Sequence, residues 1–166
     1  MNAFNPLLES PGGAVYQLTD LSRALHMVRA REARRGFPYE WVICTRTDFI
    51  WLAPHPPLHL LDPTHAWVPS GQDWGGINDR HAVLARPLAD IYFSRFKFLA
   101  EDGLRRACAD DVKHERCYET FNAERFLGTF LSLHNITVGY FTAVAAIGCC
   151  TPEECGLREC FAYSLP

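Results

Sequence analysis

The sequence predicts an α/β fold with a mixed, mostly parallel sheet flanked by helices. Apolar residues recur at helical spacing in three segments, and short apolar runs bounded by proline or polar residues lie between and after them. The resulting order of helix, strand, loop, strand, two helices and closing strands is typical of an α/β sandwich. A chain of 166 residues, 48% of them apolar, fits one domain with a sizeable core.

The first helix is predicted over Thr19–Arg35, after an irregular segment at 1–17 that is rich in proline and glycine. Thr19 can accept a backbone N–H as the cap, and Gly36 ends the helix. The apolar, partly β-branched run Trp41–Thr45 predicts a buried strand.

Later elements follow from similar signals. Prolines make 53–63 an extended or turning connection, because proline removes the donors that helices and central strands need. A helix begins near Pro87 and ends at Gly103, and Asn122 caps another that reaches His134. Further strands are predicted at 65–69, 82–85, 136–141 and 144–147.

Composition restricts the partners. A net charge of −3, with histidine neutral, gives no basic field for nucleic acid or an anionic membrane. The arginines at 29, 31, 34 and 35 are interpreted as covering the end of the first helix. The sequence shows no apolar run long enough for a membrane segment, and its first residues do not resemble a signal peptide. We therefore expect either that the protein is cytoplasmic or that a targeting or anchoring segment lies outside this sequence.

Seven cysteines leave three interpretations open. Four of them lie in a cysteine-rich tail at 148–166, where disulfides, free thiols and a zinc site are all compatible with the spacing. The sequon Asn135-Ile136-Thr137 is attributed to chance because it falls in a predicted strand. Together the two features favour slightly a secretory-pathway setting such as the Golgi lumen over the cytoplasm.

The strongest candidate for chemistry is Asp48, which follows the predicted strand with Arg46 two residues before it. In open α/β sheets ligands bind at the carboxyl ends of strands. Asp48 can ligate Mg²⁺ or Mn²⁺, and Arg46 can bind phosphate in bidentate fashion. The alternative is an exposed Arg–Asp pair that contributes little.

A second candidate is the polar, glycine-rich loop at 71–80. Its paired glycines either let backbone approach a ligand or serve a turn. Its tryptophan offers an apolar face on which a sugar ring can pack, and its end offers an amide, a carboxylate and a guanidinium in succession. The candidate residues are Trp74, Gly75, Gly76, Asn78, Asp79 and Arg80.

Glu124 is the third candidate, in the first turn of a predicted helix. It either complements the helix dipole or deprotonates an acceptor hydroxyl. Four histidines show no closed metal-ligand pattern: His55, His59, His65 and His81. His55 and His59 are separated by prolines and are interpreted as loop residues.

These motifs resemble a known family. The run Tyr39–Asp48 is similar to the strand and acidic motif of GT-A-type nucleotide-sugar glycosyltransferases, especially uncharacterised algal, plant and large-virus proteins with a W-V-x-x-T-R-x-D stretch. Gly75–Arg80 resembles their G-G-x-N-D-R loop, and Asn122–Leu127 resembles their N-x-E-x-F-L helix start.

The resemblance implies a nucleotide-sugar donor, a divalent cation near Asp48, and donor or acceptor contacts from Asn78, Asp79, Arg80 and Glu124. It implies sugar transfer to a glycan or another hydroxyl acceptor, with Asp79 or Glu124 as base. Two departures stand out: Arg46 replaces the first aspartate of Asp-x-Asp, and the segment before Asp48 is short for a nucleotide-binding half. The alternatives are a non-catalytic carbohydrate- or partner-binding domain and a small module held by cysteines or zinc.

Overall fold

A computed structural model describes residues 14–109 and 122–147. Its main sheet has four strands in the order β1-β4-β3-β5. These are β1 Trp41–Thr45, β3 His65–Pro69, β4 His81–Ala85 and β5 Thr137–Phe141. A two-stranded antiparallel sheet pairs β2, Phe49–Trp51, with β6, Ala145–Ile147. The first thirteen residues of the predicted irregular segment and the cysteine-rich tail lie outside the described residues.

The main sheet is mixed, as predicted, but it is not mostly parallel. Both β1 and β3 run antiparallel to β4, and only β3 and β5 run parallel. The reason lies in the connections. A loop without a helix joins β3 to β4, and neighbouring strands joined in this way pair antiparallel. Helices intervene between β4 and β5, and this longer connection returns the chain beside β3 in the parallel direction.

Two of the predicted helices have different bounds in the structure. The first, α1, spans Ala14–Arg35, so residues 14–17 are helical rather than irregular. Thr19 does not cap it, since its hydroxyl donates to the Val15 carbonyl one turn earlier at 2.9 Å. The helix predicted from Pro87 to Gly103 is divided into α2, Arg86–Tyr92, and α3, Arg95–Ala100.

After the break, Gly103 begins α4, Gly103–Ala109, instead of ending a helix. The last helix, α5, spans Ala123–Leu133. Its predicted cap is confirmed, because the Arg125 N–H donates to the Asn122 side chain at 2.8 Å. A single 3-10 turn, Leu58–Leu60, interrupts the proline-rich connection.

The helices cover one face of the main sheet. Alternate strand residues such as Val42, Val68 and Leu84 point into this core, as the period of two requires. The residues predicted to face inward on α5 are completely buried, namely Phe126, Leu127, Phe130 and Leu131. The opposite face carries a smaller apolar cluster that contains Val83, Phe141 and Leu61.

Ion pairs join the end of α1 to α2. Arg86 donates to both carboxylate oxygens of Glu32, at 2.6 and 2.9 Å, and Arg29 donates to Asp90 at 2.9 Å. The hydrogen bonds from Arg86 lower the pKa of Glu32 to about 2. Arg35 lies over the Phe37 ring, 3.8 Å from its centre. The basic end of α1 therefore serves the fold itself, as predicted for Arg29 and Arg35.

Two further findings concern cysteines and membranes. Cys44 is a free thiol, and Cys108 is disulfide-bonded. Within 14–109 and 122–147, every helix is too short or too polar to span a bilayer.

Candidate functional site

An open cleft of about 730 Å³ lies between α1 and the end of β1. Apolar side chains of α1, including Leu21 and Val28, form one wall, and β1 with the turn after it forms the other. Charged residues from distant parts of the chain complete the lining: Asp20, Arg46, Asp48, Asp79, Arg80 and Arg95. A cleft with an apolar wall and a few convergent polar groups is the usual form of a small-molecule site.

Arg46 and Asp48 lie at the carboxyl end of β1, as predicted, and they contact each other. The Arg46 guanidinium donates to both Asp48 oxygens, at 2.8 and 2.5 Å. This bidentate pairing lowers the pKa of Asp48, so the carboxylate is charged at neutral pH. The two side chains are 44% and 34% exposed, so the pair remains accessible from the cleft.

A backbone contact joins this turn to the glycine-rich loop. The Arg46 N–H donates to the Arg80 carbonyl at 3.1 Å, which continues the pairing of β1 with β4 by one step. Antiparallel pairing therefore brings Asp79 and Arg80 beside Arg46 and Asp48. The four charged residues that the sequence placed in two separate motifs line one cleft.

Asn78 holds the shape of the loop. Its side chain is completely buried, its amide donates to the Gly71 carbonyl at 2.9 Å, and its oxygen accepts the Arg80 N–H at 3.1 Å. The carboxamide is thus engaged within the protein and does not line the cleft. Sequence reasoning assigned Asn78 to a ligand, whereas its position indicates that it orients Asp79 and Arg80.

Gly75 and Gly76 also serve the loop rather than the cleft lining. Gly75 has a φ of +84°, a left-handed conformation that favours glycine. Gly76 packs against the start of α5, where an added Cβ would lie 2.1 Å from the Glu124 carbonyl carbon. Trp74 also lies outside the cleft lining. Its side chain is 62% exposed, and its carbonyl accepts a hydrogen bond from the Asn122 side chain.

Glu124 lies outside the cleft lining, with 3.8 Å between its carboxylate and the guanidinium of Arg80. Burial raises the pKa of Glu124, the negative charge of Asp79 raises it further, and Arg80 opposes both effects. The two carboxylates predicted to be catalytic are therefore close enough to interact, but only Asp79 lines the cleft. No hydrogen bond or ion pair to Asp79 is found within the described parts of the chain.

Sequence reasoning missed Arg95, which lines the same cleft from α3. A signal was present, because Arg95 follows Tyr92 by three positions and precedes Leu99 by four, and both neighbours are completely buried. An arginine on the apolar stripe of a helix is unusual. Cys44 also lines the cleft, and burial raises the pKa of its thiol while Arg95 lowers it.

His55 and His59, which were predicted to be loop residues, lie in the proline-rich connection, His59 within its 3-10 turn. His65 and His81 are the first residues of β3 and β4, and the strand predicted at 65–69 is confirmed. His81 is 1% exposed and lies among the rings of Phe49, Trp51 and Phe141. Its Nε2 is 3.2 Å from the Nε2 of His55.

The hydrogen bonds indicate which ring nitrogens of His55 and His81 carry protons. The Pro56 carbonyl can only accept, so the His55 Nδ1 at 2.7 Å donates to it. A neutral His55 then accepts from the Nε2–H of His81. The Nδ1 of His81 is left buried without a partner among the residues that the structure describes.

Burial, with a smaller effect of the charge on His55, lowers the pKa of His81 from 6.5 to about 4. Between these values the unfolded chain binds more protons than the folded one, so stability falls as the pH drops from 6.5 to 4. In the variant His81→Phe we expect a smaller loss of stability over this range, measured by urea unfolding. The exposed His59→Gln variant is the control, and a curve for His81→Phe parallel to the wild type would contradict the assignment.

The donor set at the cleft was compared with the needs of Mg²⁺ and Mn²⁺. The described residues contain no group of three His, Cys, Asp or Glu side chains placed to hold a metal ion. Both Asp48 oxygens already accept from Arg46. In nucleotide sites such cations are held by one or two carboxylates together with phosphate oxygens. Asp48 therefore fits a cation that arrives with a phosphate-bearing ligand rather than one held by the protein alone.

Comparison with known proteins gives one match. Neither the curated proteins nor the solved structures include a significant match to this chain. A family model described as "Domain of unknown function (DUF7796)" matches residues 11–126. This range contains α1, the glycine-rich loop and every charged residue that lines the cleft. Because the match covers more than half of the sequence, the chain belongs to this family of unknown function.

Proposed function

We propose that the cleft binds a nucleoside-diphosphate sugar and that the protein transfers the sugar to a hydroxyl group of an acceptor. One observation carries the proposal: Arg46 and Asp48 share a cleft with Asp79 and Arg80, although thirty residues separate the two pairs. The finer resemblance to GT-A-type enzymes is part of this proposal. This resemblance is supported by the position of Arg46 and Asp48 at the carboxyl end of β1.

The residues have distinct roles in the proposed reaction. The acceptor oxygen attacks the anomeric carbon, the bond from that carbon to the diphosphate oxygen breaks, and the nucleoside diphosphate leaves with both bonding electrons. If the reaction inverts the anomeric centre, the acceptor proton moves to a carboxylate. Asp79 is better placed as this base than Glu124, because Asp79 lines the cleft, whereas Glu124 lies outside the lining and contacts Arg80.

Charge compensation for the leaving diphosphate comes from the end of β1. Arg46 and Arg80 offer guanidinium groups that bind phosphate oxygens in bidentate fashion. Asp48 would hold Mg²⁺ or Mn²⁺, which supplies further positive charge to the diphosphate when bound. Mutual pairing of Arg46 with Asp48 keeps both side chains oriented at the cleft before a ligand arrives.

A second candidate is a carbohydrate- or partner-binding domain without catalysis. It is favoured by the position of β1, which is an edge strand among the described residues and is preceded there by α1 alone. A nucleotide base therefore has little protein around it in the described parts. Binding of a glycan without any turnover of nucleotide sugars would support this candidate.

The proposed activity is tested by the release of nucleoside diphosphate from a panel of nucleotide sugars, with Mn²⁺ and with simple sugars as acceptors. We expect one donor to be turned over, with release that increases on addition of acceptor. Absence of release from every donor by a folded sample would remove the catalytic proposal and leave the binding domain.

A further inference from the structure

Arg95 is the most unusual charged residue of the cleft. Arg95 is only 2% exposed, yet it lines the cleft as the first residue of α3. The Nε–H donates to the Tyr92 carbonyl at 3.0 Å, and the guanidinium carbon lies 4.2 Å from the centre of the Tyr92 ring. These contacts fix the side chain against the core at the wall of the cleft.

The guanidinium of Arg95 forms no ion pair with any of the described residues. Among the residues that the structure describes, Arg46, Arg80 and Arg86 each have a carboxylate within 4.0 Å, whereas Arg95 has none. Burial of an unpaired charge is costly, and contact with an aromatic ring offsets only a small part of that cost. A buried, oriented guanidinium that lines a cleft and forms no ion pair is therefore suited to an anionic ligand.

The other charges of the cleft narrow the class of anion. Arg46 and Arg80 are paired with Asp48 and Glu124, so Arg95 is the one cation of the described lining without an ion pair. Asp79 is the one anion of this lining without an ion pair, and such a carboxylate accepts hydrogen bonds from hydroxyl groups. A ligand with a phosphoryl group for the arginine and sugar hydroxyls for the aspartate satisfies both residues.

We propose that Arg95 is a further phosphate-binding residue of the cleft, beside Arg46 and Arg80, and receives a phosphoryl group of a sugar-bearing phosphate or diphosphate ligand. The proposal deepens the function proposed above and rests on it for the identity of the sugar donor. Planar guanidinium groups bind phosphate through two parallel hydrogen bonds, which an ammonium group cannot reproduce.

The test is calorimetric titration of the full chain with inorganic pyrophosphate, a nucleoside diphosphate and the matching nucleoside. In Arg95→Met we expect a loss of at least about tenfold in affinity for pyrophosphate and for the nucleoside diphosphate. Arg95→Lys is expected to recover only part of that affinity, and nucleoside binding should not change. Lys97→Met is the matched control, because Lys97 lies on the same helix with a side chain that is 75% exposed.

Loss of folding in Arg95→Met does not remove the test. The wild type offers a second measurement, since Cys44 is a free thiol that lines the same cleft. Pyrophosphate bound at Arg95 should slow alkylation of Cys44, followed by mass spectrometry of its peptide. Unchanged alkylation at saturating pyrophosphate, or wild-type affinity for pyrophosphate in a folded Arg95 variant, would overturn the proposal.

The outcomes separate this inference from the proposed activity. Pyrophosphate binding that depends on Arg95, without turnover of any nucleotide sugar, would keep the phosphate site and reject the transferase. Turnover of a nucleotide sugar with unchanged affinity in Arg95→Met would keep the transferase and reject the role of Arg95. Absence of pyrophosphate binding to the wild type would reject the phosphate site directly.

Discussion

Replacing Asp48 with asparagine is expected to lower nucleoside-diphosphate release at least about 100-fold without unfolding the protein. The amide keeps the shape of the side chain but removes the charge that pairs with Arg46 and that would hold a cation. Because the Asp48 side chain is 34% exposed in a turn, its loss opens no cavity in the core. The measurement is the release assay at saturating donor, with circular dichroism to confirm folding.

Asp90→Asn is the control for this substitution. Asp90 is also a partly exposed aspartate paired with arginines, but it lies on α2 away from the cleft lining. We expect it to retain activity close to that of the wild type. Full activity in Asp48→Asn, or equal losses in both variants, would contradict a specific role for Asp48.

Replacing Gly76 with alanine is expected to destabilise the fold by about 3 kcal/mol or more. The new Cβ would lie 2.1 to 2.2 Å from backbone atoms of Glu124 and Arg125, which cannot rotate away as a side chain can. The loop must therefore separate from α5, and the Ile77 N–H loses its hydrogen bond to the Glu124 carbonyl. For a domain of this size the melting temperature should fall by roughly 6 to 12 °C.

Gly128→Ala is the matched control, since Gly128 lies in α5 and an added Cβ would first meet the Ile77 side chain at 3.5 Å. Alanine is the better helix former, so this variant should be equally stable or more stable by about 0.5 to 1 kcal/mol. If Gly76→Ala melts at the wild-type temperature, the close packing of the loop against α5 is wrong.

Much of the secondary structure could be predicted because its signals are local. The bounds predicted for β1 and β3 are confirmed, since prolines or polar residues limit both apolar runs. The cap of α5 is also a local property, a polar side chain directly before an apolar helical pattern. In the small sheet, β6 was predicted at 144–147 and is found at Ala145–Ile147, whereas β2 was missed because it has only three residues and is defined by its partner.

The arrangement of the strands could not be read from local pattern. A run of apolar residues gives the position of a strand but not the direction of its neighbour, and β1 pairs with β4 across the long connection that contains β2 and β3. The break between α2 and α3 was likewise hidden. An apolar pattern continues across it, so the periodicity predicted one helix; its residues are Leu88, Ile91, Tyr92, Phe96 and Leu99.

The candidate site shows the same division. Charged residues next to a strand end drew notice to Arg46 and Asp48, and antiparallel pairing then brought Asp79 and Arg80 beside them. Residue type alone did not distinguish residues that contact a ligand from residues that stabilise the loop. Asn78 and Gly76 were therefore predicted to contact a ligand, although they stabilise the loop. Arg95 was overlooked because its helix was interpreted only through its apolar residues.

Thermal unfolding with added ligands is the decisive measurement of whether this cleft binds a phosphate-bearing sugar donor. A ligand that binds only the folded state must raise its apparent stability. Nucleoside diphosphates and nucleotide sugars should be compared with and without Mn²⁺, in the wild type and in Asp48→Asn. We expect one nucleotide to raise the unfolding temperature, more so with Mn²⁺ and less in Asp48→Asn. No shift with any nucleotide, in a sample shown to be folded, would contradict this expectation.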